Sequence, residues 1–135
     1  MTIIAHISDT HIRNLKYHEE YRIVFKNIYD SLLNERPDYI VHTGDLAHTK
    51  THLSPEYFEL ATDFLKNLAE IAPTIIILGN HDGNLKNGNR QDAITPIIEA
   101  LNHPNLTLLK NSGEYEPEEG IVFNVLLALD RDYQE

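Results

Sequence analysis

The sequence predicts an α/β fold built on a parallel sheet, and three observations support this prediction. Strand-like and helix-like segments alternate three times along the chain, as in parallel sheets with helical crossovers. The third strand-like segment is a continuous apolar run, which is typical of a strand covered on both faces. The length of 135 residues fits a single domain, which we place over residues 1–135.

The first strand and the first helix are predicted from residue type and spacing. Thr2–Ser8 is rich in β-branched residues that partly alternate with others, which favours a strand. Apolar side chains recur at helical spacing from about Tyr17 to Asn34, and Arg36-Pro37 ends this predicted helix. A second strand is then expected over Asp38–His42.

The second predicted helix has a clear start signal. In Ser54-Pro55-Glu56, Ser suits the N-cap, Pro the first helical position and Glu the first turn. An apolar stripe then runs from Ala61 to Ala72 and predicts the body of this helix. Ile75–Leu78 is the continuous apolar run, and Ile94–Leu101 carries a third helical stripe.

The pattern changes after residue 105. Leu106–Leu109 and Ile121–Leu127 are both predicted to be strands. The connector Ser112–Gly120 holds four glutamates and no basic residue, so we expect a solvated loop there. No obvious helix follows the last strand.

Composition excludes several classes of protein. Hydrophobic residues make up 41% and charged residues 24%, which excludes wholesale disorder. No apolar run approaches the roughly 18 residues of a membrane span, and the start of the chain lacks the basic region of a signal peptide. We therefore expect no membrane association. The absence of cysteine excludes disulfides and thiolate chemistry, and suits the cytoplasm, where we expect the protein.

The charge balance is strongly acidic. Eleven Lys and Arg residues stand against 21 Asp and Glu residues, for a net charge of −10. This balance argues against a general nucleic-acid coat, which needs a surplus of basic side chains. Carboxylates that bind metal ions also contribute to such a count, and the eight histidines likewise indicate metal binding.

Three polar clusters follow the three predicted parallel strands: Asp9-Thr10-His11, Gly44-Asp45 and Gly79-Asn80-His81-Asp82. Each cluster alone suits an ordinary turn or helix cap. Together they are informative, because the carboxyl ends of parallel strands lie on one side of a sheet, where ligands bind. We therefore predict that five side chains face one crevice: Asp9, His11, Asp45, Asn80 and His81.

These residue types fit a metal site. Asp and His suit manganese, iron or zinc, and Asn adds a neutral carbonyl oxygen. Asp45, in the middle cluster, is best placed to bridge two ions. Two ions about 3.5–4 Å apart can clamp the attacking and leaving oxygens of a phosphoryl transfer. His81 would then protonate the leaving group or stabilise the charged transition state.

The three clusters resemble the first three signature motifs of the calcineurin-like metallophosphoesterases. The resemblance implies a two-sheet sandwich flanked by helices, with a two-metal site at one edge. It also implies that Asp9 and His11 bind the first metal, Asp45 bridges both, Asn80 binds the second and His81 acts on the leaving group.

Within this superfamily the chain looks most like the DNA double-strand-break repair nucleases and their phage recombination counterparts. Gly44-Asp45-Leu46-Ala47-His48 resembles their Gly-Asp-Leu-Phe-His segment, although Ala47 replaces the aromatic residue. This likeness implies that His48 orients the substrate phosphate. It also implies DNA as substrate, manganese as the metal (iron, zinc and magnesium are alternatives) and an SMC-like ABC ATPase subunit as a partner. Lys86 and Arg90 follow the third cluster, and either contact a phosphate backbone or belong to a plain surface loop.

The chain departs from the family pattern after His81. The family supplies three further histidine ligands, whereas this chain offers only His103, which we expect in a surface loop. The sequence therefore resembles the amino-terminal half of a catalytic domain. The first metal would keep Asp9, His11 and Asp45, and the second only Asp45 and Asn80, so we expect weak or no activity from this chain alone. A truncated sheet would also expose an edge, which favours a homodimer.

Three functions remain open from the sequence. The first is a two-metal phosphodiesterase that acts on DNA. The second is a small-substrate phosphoesterase of the same superfamily, acting on cyclic nucleotides or phosphomonoesters, which the charge of −10 slightly favours. The third is a non-catalytic binding module that keeps the fold without the full set of metal ligands.

Overall fold

A computed structural model describes residues 1–49, 53–82 and 91–127. Up to residue 109, strands and helices follow each other in the predicted order. The elements are β1 (Ile4–Ile7), α1 (His18–Glu35), β2 (Tyr39–His42), α2 (Pro55–Ile71), β3 (Thr74–Ile77), α3 (Thr95–Leu101), β4 (Leu106–Leu109), β5 (Gly113–Glu118) and β6 (Ile121–Val125).

The first four strands form one parallel sheet in the order β1-β2-β3-β4. Ile4 pairs with Tyr39, Ile40 with Thr74, and Ile76 with Leu108. The amino-acid pattern predicted this α/β arrangement, and the structure confirms it. Because all four strands run in one direction, the turns that follow β1, β2 and β3 lie at the same edge of the sheet.

Local sequence signals explain where α1 ends and where α2 begins. Helix α1 ends at Glu35, and the next residue, Arg36, adopts a left-handed conformation with φ of 51° just before Pro37. Helix α2 has the predicted start, since the Ser54 side chain accepts a hydrogen bond from the Tyr57 amide and Pro55 occupies the first helical turn.

The main core lies between one face of the parallel sheet and the helices. The aromatic rings of Phe25 in α1 and Phe64 in α2 stack with centroids 4.0 Å apart. Ile40 and Ile76, from the two central strands, belong to the same buried cluster. Fully burying an aliphatic or aromatic side chain contributes about 1.5–3 kcal/mol, so this cluster anchors the strands that carry the polar turns.

The opposite face of the sheet contacts a small second sheet. Strands β5 and β6 form an antiparallel hairpin, and the Phe123 ring of β6 packs edge-on against the Tyr39 ring of β2 at 5.6 Å. Two sheets with helices alongside match the two-sheet arrangement that the sequence led us to expect.

The prediction of a solvated loop over Ser112–Gly120 was wrong. Most of this segment forms β5, in which exposed glutamates alternate with half-buried Gly113, Tyr115 and Pro117. The prediction gave weight to the run of negative charge. The period-two alternation decides the outcome, because it lets one side of the strand be covered while the glutamates stay in water.

None of the described helices combines the length and apolar character that a bilayer crossing requires.

Candidate metal centre

The turns after β1 and β2 remain paired beyond the ends of the strands. The amides of Asp9 and His11 donate to the carbonyls of Gly44 and Asp45 over 3.1 and 3.0 Å. The amide of Ile12 donates to the Leu46 carbonyl over 2.7 Å. These main-chain bonds hold the first two polar clusters side by side.

Three residues whose side chains can bind metal ions have a left-handed backbone conformation. Asp9, His11 and Asp45 have φ values of 54°, 45° and 56°. Asp and His enter this region more readily than most residues, but the conformation still costs energy. Such residues collect at functional sites, where the surrounding structure holds them in place. Here the paired turns provide that support.

The same three side chains form a group that could hold a metal ion. One ligand atom from each of Asp9, His11 and Asp45 lies within 4.8 Å of the others. The Nε2 atom of His11 is 3.4 Å from a carboxylate oxygen of Asp9 and 3.8 Å from one of Asp45. Ligands bound to one cation at about 2.0–2.2 Å lie roughly 3–3.5 Å apart, so a small inward movement would complete the coordination. The residues therefore fit a divalent cation.

Hydrogen bonding keeps Asp9 ready to act as an anion. The Ser8 hydroxyl donates to the Asp9 carboxylate and is the main cause that lowers the pKa of this carboxyl group. Partial burial acts in the opposite direction, and His11 lowers the pKa further. The second ring nitrogen of His11, Nδ1, is buried and has no hydrogen-bond partner in the described part of the chain. Nε2, which lies near both carboxylates, is therefore the nitrogen that suits a metal.

Two glycines bring the turn after β3 against the turn after β2. A Cβ atom added to Gly44, whose φ is 108°, would lie 2.6 Å from the Gly79 amide nitrogen. A Cβ atom added to Gly79 would lie 2.4 Å from the amide nitrogen of Asp45. Only residues without a side chain allow this approach, so the glycines of the second and third clusters are required by close backbone contact.

Asp82 joins the same two turns by hydrogen bonds. Its buried carboxylate accepts from the amides of Asp45, Ala47 and Gly79 over 2.7, 2.9 and 2.9 Å. Burial raises the pKa of Asp82, and these main-chain donors oppose that effect. Asp82 was not among the predicted site residues. The available signal was an acidic residue that ends a polar cluster directly after a buried strand.

His81 lies beside the carboxylate group. Its main-chain amide donates to Asp45 Oδ1 over 2.8 Å, and its ring centroid is 4.9 Å from that of His11. Its Nδ1 atom is 3.0 Å from the His48 carbonyl, which can only accept, so Nδ1 carries the proton. The Nε2 atom of His81 is thus the nitrogen that remains available to a ligand.

His48 lies close to both other histidines. Its ring is nearly parallel to that of His81, and the two ring centroids are 6.1 Å apart. The centroid of the His48 ring is 5.9 Å from that of the His11 ring. Burial lowers the pKa of His48, and Arg13, His11 and His81 lower it further. The predicted catalytic residues His48 and His81 are therefore brought together next to Asp9, His11 and Asp45.

The remaining predicted site residues are Asn80, Lys86 and Arg90. Asn80 is exposed between Gly79 and His81, and its role as a metal ligand stays a prediction. Lys86 and Arg90, the predicted contacts to a phosphate backbone, lie outside the described residues. His103 lies in the loop before β4, where its Nδ1 accepts from the Asn105 amide, as expected of a loop histidine.

The family model for calcineurin-like phosphoesterases matches residues 2–132, and the chain belongs to this family. The chain is 47% identical over 133 residues to an uncharacterised protein of Acanthamoeba polyphaga mimivirus. It is 37% identical over 92 residues to the DNA double-strand break repair protein Mre11 of Sulfurisphaera tokodaii. It is 36% identical over 87 residues to the glycerophosphodiester phosphodiesterase GpdQ of Enterobacter lignolyticus. These matches confirm the resemblance found in the motifs, and the Mre11 likeness supports the DNA-repair branch.

The matches cover most of this chain but little of each relative. The match to the mimivirus protein spans 96% of this chain and 10% of that protein. The match to the Mre11 protein spans 63% of this chain and 23% of that protein, and the match to GpdQ spans 59% of this chain and 29% of that protein. The chain therefore corresponds to only a minor part of each of these proteins.

Proposed function

We propose that the protein is a metal-dependent phosphodiesterase that cleaves DNA, as the nuclease of a recombination or repair complex, by two-metal in-line hydrolysis. The observation that carries this proposal is the group of Asp9, His11 and Asp45, whose ligand atoms lie within 4.8 Å. The likeness to Mre11 proteins, which their names describe as acting in DNA double-strand break repair, favours DNA as the substrate.

The chain's own residues would hold the cations. Asp9 and His11 would hold the first cation, Asp45 would be shared with the second, and Asn80 would complete the protein's contribution. We propose manganese, with iron, zinc and magnesium as alternatives. When bound, such cations activate water and neutralise charge on the phosphate. Since the described residues gather only three ligand atoms closely, we expect weak binding of the second cation and weak or no hydrolysis by this chain alone.

The two histidines have distinct roles in this proposal. The His48 carbonyl fixes the proton on Nδ1 of His81, so the Nε2 atom of His81 interacts with the leaving oxygen. Donation to that oxygen requires the doubly protonated ring. His48 orients the phosphate, and Lys86 and Arg90 contact the neighbouring backbone phosphates. Each role depends on the substrate lying over the carboxylate group.

A small-substrate phosphoesterase is the second candidate. The likeness to GpdQ, named as a glycerophosphodiester phosphodiesterase, favours it. The net charge of −10 favours it as well, because a DNA-binding surface gains affinity from basic residues. Cyclic nucleotides and phosphomonoesters belong to the same group of substrates.

We also propose an SMC-like ABC ATPase subunit as a partner and a homodimer as the assembly. Strand β1 lies at one edge of the four-stranded sheet, and its Ile4 side chain is exposed there. An exposed apolar edge strand offers unpaired main-chain groups to another chain, which supports self-association.

Calorimetric titration of manganese into wild type and Asp45→Ala tests the metal centre. We expect one or two ions in wild type and none in the variant. The exposed Asp63→Asn serves as the matched control and should bind as wild type does. Absence of manganese binding in wild type would overturn the proposal.

Hydrolysis assays then separate the substrates. DNA and bis-p-nitrophenyl phosphate are offered with manganese at low and high salt. Activity that DNA stimulates and that falls steeply with salt supports the nuclease. Salt-insensitive hydrolysis of the small ester alone supports the second candidate. Tight binding to a partner protein, with no hydrolysis of either substrate even at saturating manganese, supports a non-catalytic module.

A further inference from the structure

His42 is a fully buried polar residue that the proposed mechanism does not use. It ends β2, and its ring packs edge-on against the Phe64 ring of the core at 6.4 Å. A buried imidazole must satisfy both ring nitrogens, or the lost hydrogen bonds with water destabilise the protein. The partners of His42 are therefore informative.

Those partners determine which ring nitrogen carries the proton. The Gly44 amide lies 3.2 Å from Nδ1 and can only donate, so Nδ1 is the acceptor. The proton of the neutral ring is then on Nε2, which lies 3.3 Å from Thr10 Oγ1. The Thr10 hydroxyl donates its own proton to the Leu46 carbonyl over 3.2 Å, so its oxygen is free to accept from His42.

These bonds form a directional chain: Gly44 amide to His42, His42 to Thr10, and Thr10 to the Leu46 carbonyl. Thr10 stands between Asp9 and His11, whereas Gly44 and Leu46 flank Asp45. This series of hydrogen bonds thus connects both left-handed turns to one buried imidazole ring. Burial lowers the pKa of His42 to about 4, so the ring is neutral at physiological pH and keeps this pattern.

We propose that His42 is a positioning residue, which acts through Thr10 to fix the distance from Asp9 and His11 to Asp45 and thereby sets the affinity for the first cation. The proposal rests on the proposed metal centre. His42 touches neither the cation nor the substrate. It holds the carboxylates of Asp9 and Asp45 and the ring of His11 at the spacing that a cation needs before the cation binds.

The test measures manganese affinity by calorimetry in four variants. Thr10→Val removes the hydroxyl but keeps the shape, and His42→Phe removes both ring nitrogens but keeps an aromatic ring. Residues that orient metal ligands typically contribute 10–100-fold to affinity, so we expect each change to weaken binding about 10-fold or more. Thr10→Ser restores the hydroxyl and should recover most of the loss. The double variant should lose little more than either single variant, because both break one chain of bonds.

A second measurement reads the hydrogen bonds without metal. In wild type, ¹⁵N NMR of the metal-free protein should show His42 as the neutral tautomer protonated on Nε2. A proton bonded to Nε2 should be protected from exchange with solvent. Thr10→Val should abolish this protection, whereas Thr10→Ser should retain it. Thr10→Val also keeps the test decisive if His42→Phe does not fold.

The outcomes separate the two proposals. If wild type binds no manganese, the proposed metal centre fails and this proposal fails with it. If wild type binds manganese and a folded Thr10→Val variant binds it with unchanged affinity, only the role of His42 is overturned. Protonation of His42 on Nδ1 would also overturn that role. Asp92→Asn, which removes a buried carboxylate away from the site, controls for loss of stability and should bind as wild type does.

Discussion

The amide of Asp45 donates a hydrogen bond of 2.7 Å to the buried carboxylate of Asp82. In the other direction, the Asp45 carboxylate accepts from the amide of His81 over 2.8 Å. The turns after β2 and β3 are thereby linked through both the backbone and the side chain of one residue. This relationship fixes Asp45 between the two turns, beside Asp9 and His11, and it leads to the first prediction.

Replacing Asp82 should destabilise the protein. Asp82→Leu leaves three main-chain amides without their acceptor, and each buried unsatisfied donor costs about 1–3 kcal/mol. We expect the free energy of unfolding to fall by about 3 kcal/mol or more in urea titrations. Asp63→Asn on the exposed side of α2 is the control, with a change within about 0.5 kcal/mol. A small effect of Asp82→Leu would contradict the linking role.

Gly79→Ala should separate the turns after β2 and β3. The new Cβ atom would meet the Asp45 amide nitrogen at 2.4 Å, which the backbone can relieve only by moving. We expect a loss of about 2 kcal/mol or more in stability, together with weaker manganese binding.

Gly120→Ala is the comparison for Gly79→Ala, because Gly120 has no atom within 4 Å of an added Cβ, and its φ of 88° is the only source of strain there. It should cost only about 1–2 kcal/mol of conformational strain and leave manganese affinity unchanged. Equal effects on manganese affinity from the two substitutions would show that the close contact at Gly79 is unimportant.

Asp92 should make stability depend on acid pH. Burial acts to raise its pKa, but the Thr95 side chain, the amides of Thr95 and Ile94, and Lys110 outweigh burial and lower it below 3.8. A carboxyl group with a lowered folded-state pKa stabilises the protein above its unfolded-state value of 3.8. That contribution is lost as the pH falls through the folded-state pKa.

The stability difference between wild type and Asp92→Asn should therefore be about 1.5–3 kcal/mol near pH 7, as for hydrogen bonds to a charged group. It should shrink as the pH falls below 3.8 in urea titrations. A difference that stays constant between pH 7 and pH 2.5 would refute the assignment. Manganese affinity at pH 7 should not change, since Asp92 is outside the proposed site.

His81→Gln should separate catalysis from metal binding. The main-chain amide that donates to Asp45 is kept, so manganese affinity should stay within about two-fold of wild type. A general acid contributes about 10²–10⁴-fold when the leaving oxygen needs a proton, as the alkoxide of a DNA phosphodiester does, so any DNA hydrolysis by wild type should fall by at least about 100-fold. Retained hydrolysis in His81→Gln would remove His81 from the proposed mechanism.

Several features followed from local sequence alone. The start of α2 was predictable because Ser54 and Pro55 act on their own helix end. Strand β3 was predictable because its continuous apolar run reflects burial on both faces. The segment Gly113–Glu118 was misread as a loop, because whether an acidic alternating segment becomes a strand depends on a partner such as β6.

Amino-acid order was enough to establish the α/β class, the family and the residues expected at one sheet edge, since these depend on periodicity and on motifs that lie at strand ends. The contacts and hydrogen bonds that build the site depend on the tertiary structure. The contact between Gly44 and Gly79, the bond from the Asp45 amide to Asp82 and the bond between His42 and Thr10 all join residues distant in sequence. The left-handed backbone at Asp9, His11 and Asp45 lies in the turns that such contacts join. Such contacts depend on how the turns pack against each other, and no local pattern encodes that packing.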